Sequence, residues 1–503
     1  MAFPLVRACQ WAERRLRPPT RRFAVDPAQV QGFLIDGCEP LPFGRMLLIA
    51  CNGQASLGAC LARFSPHAFS TARDYSLALA LSATGIEQLG LPEATLQGFE
   101  PAFREGVVDP IRSARLGDTG HNAPANWCWG GPNNPPAALA VLLHARTPAL
   151  LERALGELQQ QLEQADACCV YSLPTAQLPG KKEHFGFRGG IAQPCLASDQ
   201  PSDRRPGVLK AGAKHNTIAP GEVLLGYSNE FGDLPLSPQL PATLDPDGLL
   251  PNATEHGLGR AARDLGAAGS YLVVRQLEQD VATFWRALDE RSSGAAERDR
   301  LAAKLVGRWR SGAPLCLAPD HDQPELGDAD QFDFASSDPS GARCPFGAHI
   351  RRANPRDWRL AGWAPFATRM SNQHRIVRRS RPYGPPLAES MEPADFLSAT
   401  PDSRERGLLF MAFNADIRRQ FELIQEAWFN GPHFGRLRGE VDPLVGRAEL
   451  CGPFTIQGTP VAKRVQGLPS CVRVRGSGYF FFPSIPAVRF LANWASKHGS
   501  KGL

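Results

Sequence analysis

The stretch Gly407-Leu408-Leu409-Phe410-Met411-Ala412-Phe413 is an apolar run that predicts a buried β-strand, and residues 415–428 behind it predict a helix. An apolar strand followed by a helix also occurs in the other half of the chain, where Met46–Cys51 is the strand. Strands followed by amphipathic helices indicate an antiparallel sheet that is covered by helices. No sequence identity links the two halves, but the repeated order suggests a duplicated α+β unit.

The segments between these two strands repeat the pattern. Further strands are predicted at Tyr75–Leu81, Ala138–His144 and Ser270–Leu277. Thr147 is a candidate helix cap in front of a stripe of leucines that extends to Leu162, which predicts an amphipathic helix. The glycines of Gly476-Ser477-Gly478 predict a turn that leads into an aromatic strand.

Length and composition limit the class of protein. The chain has 503 residues, of which 43% are hydrophobic and 21% charged, so it can form a core large enough to enclose a bulky cofactor. The net charge of +5 is too small to argue for nucleic acid, and no window approaches the roughly 18 apolar residues that span a membrane. Twelve cysteines without a CxxC pair indicate a reducing compartment, and we expect the cytoplasm.

Three clusters of residues are candidates for chemistry, at 183–194, 344–356 and 374–384. In the second cluster His349 offers an imidazole for iron, and the adjacent Arg351 and Arg352 could hold anionic carboxylates such as haem propionates. The alternative interpretation is a structural histidine with arginines that face solvent. Cys344-Pro345 could supply a thiolate instead, but it is too close to His349 for both to bind the same face of one iron.

Together the three clusters resemble the dye-decolorizing peroxidase family. That family carries Gly-x-x-Asp-Gly followed by Ile or Val, a small residue, Gln and Pro. Its second motif is Pro-Phe-x-Ala-His-Ile-Arg-x-x-x-Pro-Arg, and its third has an Arg four residues before a Pro-Tyr-Gly or Pro-Phe-Gly turn. The matching stretches here are 186–194, 345–356 and 378–384, and the resemblance extends in consistent order from about residue 30 to about residue 490.

The resemblance implies a fold and a domain division. We expect an α+β protein of duplicated ferredoxin-like units, with antiparallel sheets flanked by helices and haem b held mainly by the C-terminal unit. The expected division is an N-terminal arm at residues 1–28, an N-terminal domain at 29–180 and a haem-binding domain at 181–503.

The resemblance also implies the site residues. His349 corresponds to the iron ligand and Arg378 to the catalytic arginine on the opposite, distal side of the haem. The residues expected to contact the cofactor are Gly190, Ile191, Arg351, Arg352, Leu408 and Phe410. For Leu408 and Phe410, ordinary strand core is the alternative.

One position departs from the family pattern, because Gly189 stands where the motif has aspartate. In the family that aspartate takes a proton from hydrogen peroxide and returns it to the leaving oxygen, which is typically worth about 10²–10⁴-fold in rate. Glu183 or His184 could substitute through a water, the glycine could enlarge the pocket for another ligand, or the function could have been lost by drift.

Two functions follow from these residues. The first is a haem-dependent peroxidase that reduces hydrogen peroxide and oxidises bulky organic or phenolic substrates, with altered or weakened peroxide activation. The second is a pseudo-peroxidase, a haem carrier or sensor without efficient turnover. A third reading is a structural α+β protein that binds no haem. The expected partners are hydrogen peroxide and a reducing substrate, with no nucleic acid and no membrane, and a second copy of the chain is a further candidate.

Overall fold

The computed structural model describes residues 25–68, 73–197, 216–253, 261–357, 364–400, 402–458 and 460–499. The first 24 residues of the predicted N-terminal arm lie outside these ranges. Within them, no helix has both the length and the apolar character needed to cross a membrane.

In the described ranges, nine strands form the main sheet and six short strands form three separate pairs. In chain order the strands are β1 Phe43–Cys51, β2 Tyr75–Leu81, β3 Leu139–Ala145, β4 Ala167–Ala176, β5 Cys195–Leu196, β6 Thr217–Ile218, β7 Gln239–Pro241, β8 Ala262–Asp264, β9 Ser270–Gln279, β10 Val377–Arg378, β11 Arg381–Tyr383, β12 Gly407–Asn414, β13 Phe454–Ile456, β14 Lys463–Val465 and β15 Val472–Phe482.

The described helices pack on both faces of this sheet. They are α1 Gly32–Asp36, α2 Gly53–Arg63, α3 Ala83–Gln88, α4 Glu93–Gln97, α5 Pro101–Glu105, α6 Pro110–Leu116, α7 Pro148–Gln164, α8 Val281–Asp289, α9 Ala295–Val306, α10 Phe334–Ser337, α11 His349–Ala353, α12 Ala364–Asn372, α13 Pro393–Ser398 and α14 Ile485–His498. Two π-helical segments, Arg418–Glu422 and Ile424–Phe429, follow β12.

The order of the strands confirms the predicted duplicated ferredoxin-like fold. The sheet runs β10-β12-β9-β15-β2-β3-β1-β4, with β11 also paired to β12. Within each group of four, the first strand in the chain lies between the third and the fourth, and the second lies beyond the third. All pairs in this sheet are antiparallel. The two units join edge to edge through β15 and β2, where Phe481 pairs with Leu81.

Most of the predicted elements are present, with one clear exception. Thr147 caps α7 by accepting a hydrogen bond from the N–H of Leu150 at 3.3 Å, and Leu151, Leu158 and Leu162 are buried as the leucine stripe predicted. The turn predicted at residues 476–478 is wrong, because these residues lie inside β15. The two glycines follow a register shift in the pairing with β9, which is where strands accommodate a bulge. The proposed boundary at residue 180 stays a prediction.

Candidate active site

A large cavity lies against one face of the C-terminal unit. Its empty space is about 2060 Å³, including its opening to solvent. Strands β9, β12 and β15 supply one wall, the loop at 183–192 a second, and α11 with the π-helical segments a third; residues 116–118 and 444–446 also line it. His349, Arg378 and the segment 189–191, which are far apart in sequence, all line this one cavity.

His349 stands at the start of α11 and is held by a carboxylate. Its Nδ1 donates to Asp442, 3.0 Å from Oδ2 and 3.2 Å from Oδ1, and its ring stacks on Phe429 with centroids 5.0 Å apart. Asp442 is fully buried and also accepts from the backbone N–H groups of Leu444 and Val445, both at 2.9 Å. With Nδ1 occupied and the ring fixed, Nε2 is the nitrogen of His349 that remains for a ligand.

The environment of Asp442 keeps it ionised. Burial alone would raise its pKa, but His349, Arg352 and the backbone N–H of Val445 together outweigh burial and hold the pKa below its usual value. A carboxylate hydrogen-bonded to the far nitrogen of a ligating histidine fixes the ring and raises its basicity. Asp442 was missed from sequence, because it is 93 residues beyond His349 and no local pattern connects the two.

Arg378 lies on the cavity wall formed by the first motif. Its Nη2 donates to the carbonyl of Ile191 at 2.9 Å, and its backbone N–H donates to Oε1 of Gln193 at 3.0 Å. Burial lowers the pKa of this guanidinium, while Glu183 and Asp330 act in the opposite direction. The first and third clusters are therefore physically joined, with Arg378 anchored to the motif that contains Gly189.

The two residues that could replace the missing aspartate point in different directions. Glu183 lines the cavity beside Gly189. His184 is buried away from it, with Nε2 paired to the carbonyl of Tyr383 at 2.8 Å, and burial lowers its pKa to about 4. His184 is therefore not a candidate for this cavity.

The prediction that Arg351 and Arg352 hold the carboxylates of a cofactor is wrong. Both side chains are fully buried and neither lines the cavity. Arg351 donates to the Asp338 carboxylate at 3.0 Å, and Arg352 donates to the carbonyl of Glu440 at 2.7 Å. Arg351, two positions along the helix from His349, lies on another face of that helix. Arg352, three positions along, has its guanidinium bound by buried backbone carbonyls such as that of Glu440, so adjacency in sequence was misleading.

Three other arginines line the cavity, where Arg351 and Arg352 do not: Arg308, Arg356 and Arg375. Arg308 donates to Asp330 at 3.1 Å, and Arg356 donates to the same carboxylate. Burial and repulsion from Arg356 lower the pKa of Arg375 to about 9. Six arginines but only two carboxylates, Asp118 and Glu183, belong to the described lining. This excess of positive charge suits an anionic ligand.

Of the remaining candidate residues, three line the cavity and one does not. Leu408 and Phe410 are half-buried and line the cavity, as does Ile191. Cys344 is buried, does not line the cavity, and its thiol interacts with that of Cys316. The alternative of a thiolate ligand therefore has no support from the geometry.

Comparison with known proteins identifies the family. The chain is 31% identical over 437 residues to the dye-decolorizing peroxidase msp1 of Mycetinis scorodonius, covering 82% of this chain and 75% of that protein. It is 30% identical over 433 residues to the multifunctional dye peroxidase DyP2 of Amycolatopsis sp., covering 82% of each. The chain belongs to the dye-decolorizing peroxidase family. No family model matches the sequence.

Solved dye-decolorizing peroxidases share the fold. One, in complex with 2,6-dimethoxyphenol, aligns with a TM-score of 0.72 at 24% identity, over 94% of this chain and all of that one. The Auricularia auricula-judae peroxidase aligns with a TM-score of 0.70 at 23% identity, over 94% of this chain. Because members of this family are haem peroxidases, the chain is a haem-dependent oxidoreductase.

The cavity of this dye-decolorizing peroxidase fits haem. Iron requires a neutral imidazole nitrogen, which His349 presents with its other nitrogen bound by Asp442. A flat apolar ring requires apolar walls, which Ile191, Leu408 and Phe410 supply. Two propionates require cations, and the arginines of the described lining exceed its carboxylates.

Proposed function

We propose that the chain is a haem b peroxidase in which His349 binds the iron and Arg378 assists the cleavage of hydrogen peroxide. The observation that carries this proposal is the cavity itself, where the Asp442-bound imidazole and the anchored guanidinium are lining residues of one space. Haem, when bound, supplies the iron that exchanges electrons with peroxide and then with the reducing substrate.

The chain's own residues perform three tasks in this proposal. His349 holds the iron, and the charge of Asp442 increases the electron donation of the imidazole. Arg378 places a positive charge where negative charge develops as the O–O bond breaks. Arg308, Arg356 and Arg375 hold the propionates, while Gly190, Ile191, Leu408 and Phe410 contact the ring or line the peroxide pocket.

The proposed cofactor is haem b, and the proposed reducing substrate is a phenolic or otherwise bulky organic compound. The described cavity lining contains no cysteine, so covalent attachment of haem through a thioether has no partner there. A structurally similar peroxidase was solved with 2,6-dimethoxyphenol, and two relatives are named for dyes, which favours bulky aromatic reductants for this chain also.

Three further proposals concern the whole chain. Ten of the described cysteines, all except Cys195, are free thiols, which supports a location in the reducing cytoplasm. Domains at residues 29–180 and 181–503 are supported by the end of β4 at Ala176. A homo-oligomer is proposed from the family resemblance alone.

Gly189 is the specific observation that favours the second candidate, a haem carrier or sensor without efficient turnover. If the acid–base group is simply lost, Gly189→Asp should raise the rate of the peroxide reaction by about 10²–10⁴-fold. If the parent already reacts rapidly and this variant is no faster, the carrier or sensor function is excluded.

The proposed function is tested by adding haemin to the protein and recording the Soret band, then mixing the complex with hydrogen peroxide in a stopped-flow instrument. His349→Ala should abolish stable haem binding, whereas His433→Ala, at an exposed histidine, should leave it unchanged. A rapid change of the Soret band on mixing is expected of a peroxidase. A His349→Ala protein that retains haem would contradict the ligand assignment, and a Soret band unmoved by excess peroxide would contradict the enzymatic function.

A further inference from the structure

We propose that Glu183 is the proton acceptor and donor of this peroxidase and that its carboxylate occupies the space left free by Gly189. The inference rests on the proposed function, because it assigns a residue to the peroxide reaction at the same cavity.

The space above Gly189 is filled by Glu183. A Cβ atom placed on Gly189 would lie 2.8 Å from Oε1 of Glu183, 3.3 Å from its Cγ and 3.5 Å from its Cδ. The backbone of Gly189 is outside the left-handed region, so its conformation does not require glycine. Any side chain at residue 189 would therefore displace the Glu183 carboxylate from its present position, and glycine permits that position.

The loop that carries both residues is held in a fixed geometry. The N–H of Glu183 donates to the carbonyl of Phe187 at 2.8 Å, and the N–H of Gly189 donates to the carbonyl of Lys181 at 2.9 Å. Phe187 stacks on Trp285, and Phe185 packs on Phe284 with centroids 4.5 Å apart. The carboxylate is thus supported by a hydrogen-bonded turn whose aromatic side chains are packed in a buried cluster.

The surroundings of the Glu183 carboxylate suit proton exchange. Burial raises its pKa, and Arg378 and His349 offset this only in part. Among the described residues, no side chain donates a hydrogen bond to it, so both oxygens remain available for a ligand in the cavity. A carboxylate that lines the same cavity as the guanidinium of Arg378, with a raised pKa, has the features of a general acid–base group.

The proposed step moves one proton and leaves the protein unchanged. Glu183 takes the proton from one oxygen of hydrogen peroxide and breaks that O–H bond. It then returns the same proton to the other oxygen, which departs as water when the O–O bond breaks. Haem, when bound, would supply the two electrons for this cleavage. Glu183 ends as the carboxylate it began as, because the proton that it took leaves in the water molecule.

The test compares four variants of the haem-loaded full chain with the parent. Glu183→Gln should slow the peroxide-induced Soret change by about 10²–10⁴-fold. Glu39→Gln, which removes a carboxylate paired with Lys181 outside the cavity, should have no effect. Glu183→Ala with Gly189→Asp should recover most of the rate that Glu183→Ala alone loses, since the aspartate then enters the vacated space.

Cyanide provides a second readout that involves no turnover. Hydrogen cyanide must lose a proton when it binds ferric haem, so its association rate should fall with Glu183→Gln while the amount of haem bound stays the same. Peroxide and cyanide rates within about twofold of the parent in Glu183→Gln would overturn the assignment of Glu183 alone. A parent chain that takes up no haem would overturn the proposed function and this assignment together.

Discussion

Asp442 determines the chemistry of His349, because it is the buried carboxylate at 3.0 Å from Nδ1. We expect Asp442→Asn to lower haem affinity by about 10–100-fold, which is typical when a carboxylate behind a histidine ligand is lost. The reduction potential of the iron should rise, because the imidazole then donates less electron density. Haemin titration and spectroelectrochemistry measure both effects, with Asp247→Asn, at an exposed carboxylate, as the control. An unchanged potential would mean that Asp442 is only structural.

At this scale the sequence predicted single residues better than their partners. His349, Arg378, Ile191, Leu408 and Phe410 were expected at a common site and do line one cavity. Asp442 and Arg308 were not expected, because they come from segments with no motif of their own. Arg356 and Arg375 lie within the second and third clusters, but nothing in those motifs singled them out as lining residues. The opposite error at Arg351 and Arg352 arose because both guanidiniums are bound by buried groups of the protein, the Asp338 carboxylate and the Glu440 carbonyl, which the local sequence does not reveal.

Among the elements, the helix after β12 differs from its sequence-based prediction. An α-helix was expected at residues 415–428, but the hydrogen bonds are those of a π-helix, from the N–H of Glu422 to the carbonyl of Ile417 and from Asn430 to Gln425, both at 2.9 Å. Residue composition does not distinguish these two registers, since the choice depends on packing around the cavity. Phe421, Gln425 and Phe429 line the cavity from this segment, as is common for π-helices at functional sites.

Glu100 from the N-terminal unit caps this segment and makes its stability depend on pH. Its carboxylate accepts from the N–H groups of Ile417 at 2.8 Å and Arg418 at 3.0 Å. Burial and the nearby Asp416 raise its pKa from 4.5 to about 8. A pKa that is higher in the folded state gives stability that is complete below pH 4.5 and is lost as the pH rises through 8.

Replacement of Glu100 by glutamine removes this titration. We expect the free energy of unfolding of Glu100→Gln, relative to the parent, to be a few kcal/mol higher (more stable) at pH 9 than at pH 5, since each pKa unit corresponds to about 1.4 kcal/mol. Urea unfolding at the two pH values measures the difference. Glu87→Gln, at an exposed position in α3, should give no such pH dependence. An equal effect of Glu100→Gln at both pH values would contradict the raised pKa.

Across the whole molecule, the two units share more than their edge strands. Arg275 in β9 donates to Asp118 of the N-terminal unit at 3.1 Å, and this buried pair lines the cavity. Helix α14, at the C-terminal end, packs on α2 of the N-terminal unit, and Leu491 and Leu57 belong to one core. The alternation of strands and helices predicted two similar units. It contained no signal for these contacts between the units, because long-range packing leaves no local pattern in the sequence.

The contact between α2 and α14 is so close that adding one methyl group should be destabilising. A Cβ on Gly58 in α2 would lie 2.5 Å from the Cβ of Ala495 in α14. Alanine favours a helix over glycine by about 1 kcal/mol, but overpacking a core costs about 1–3 kcal/mol, so Gly58→Ala should lower the free energy of unfolding. Gly156→Ala in α7, where a Cβ meets nothing within 4 Å, should instead be stabilising by about 0.5–1 kcal/mol.

A double-mutant cycle tests whether the clash between the two Cβ atoms is the cause. Because the clash needs both atoms, Gly58→Ala combined with Ala495→Gly should lower the free energy of unfolding by less than the sum of the two single changes. The difference, measured by urea unfolding, should be about 0.5–3 kcal/mol. Simple additivity would mean that α14 shifts away from α2 at no cost, and that the two units are joined mainly through their edge strands.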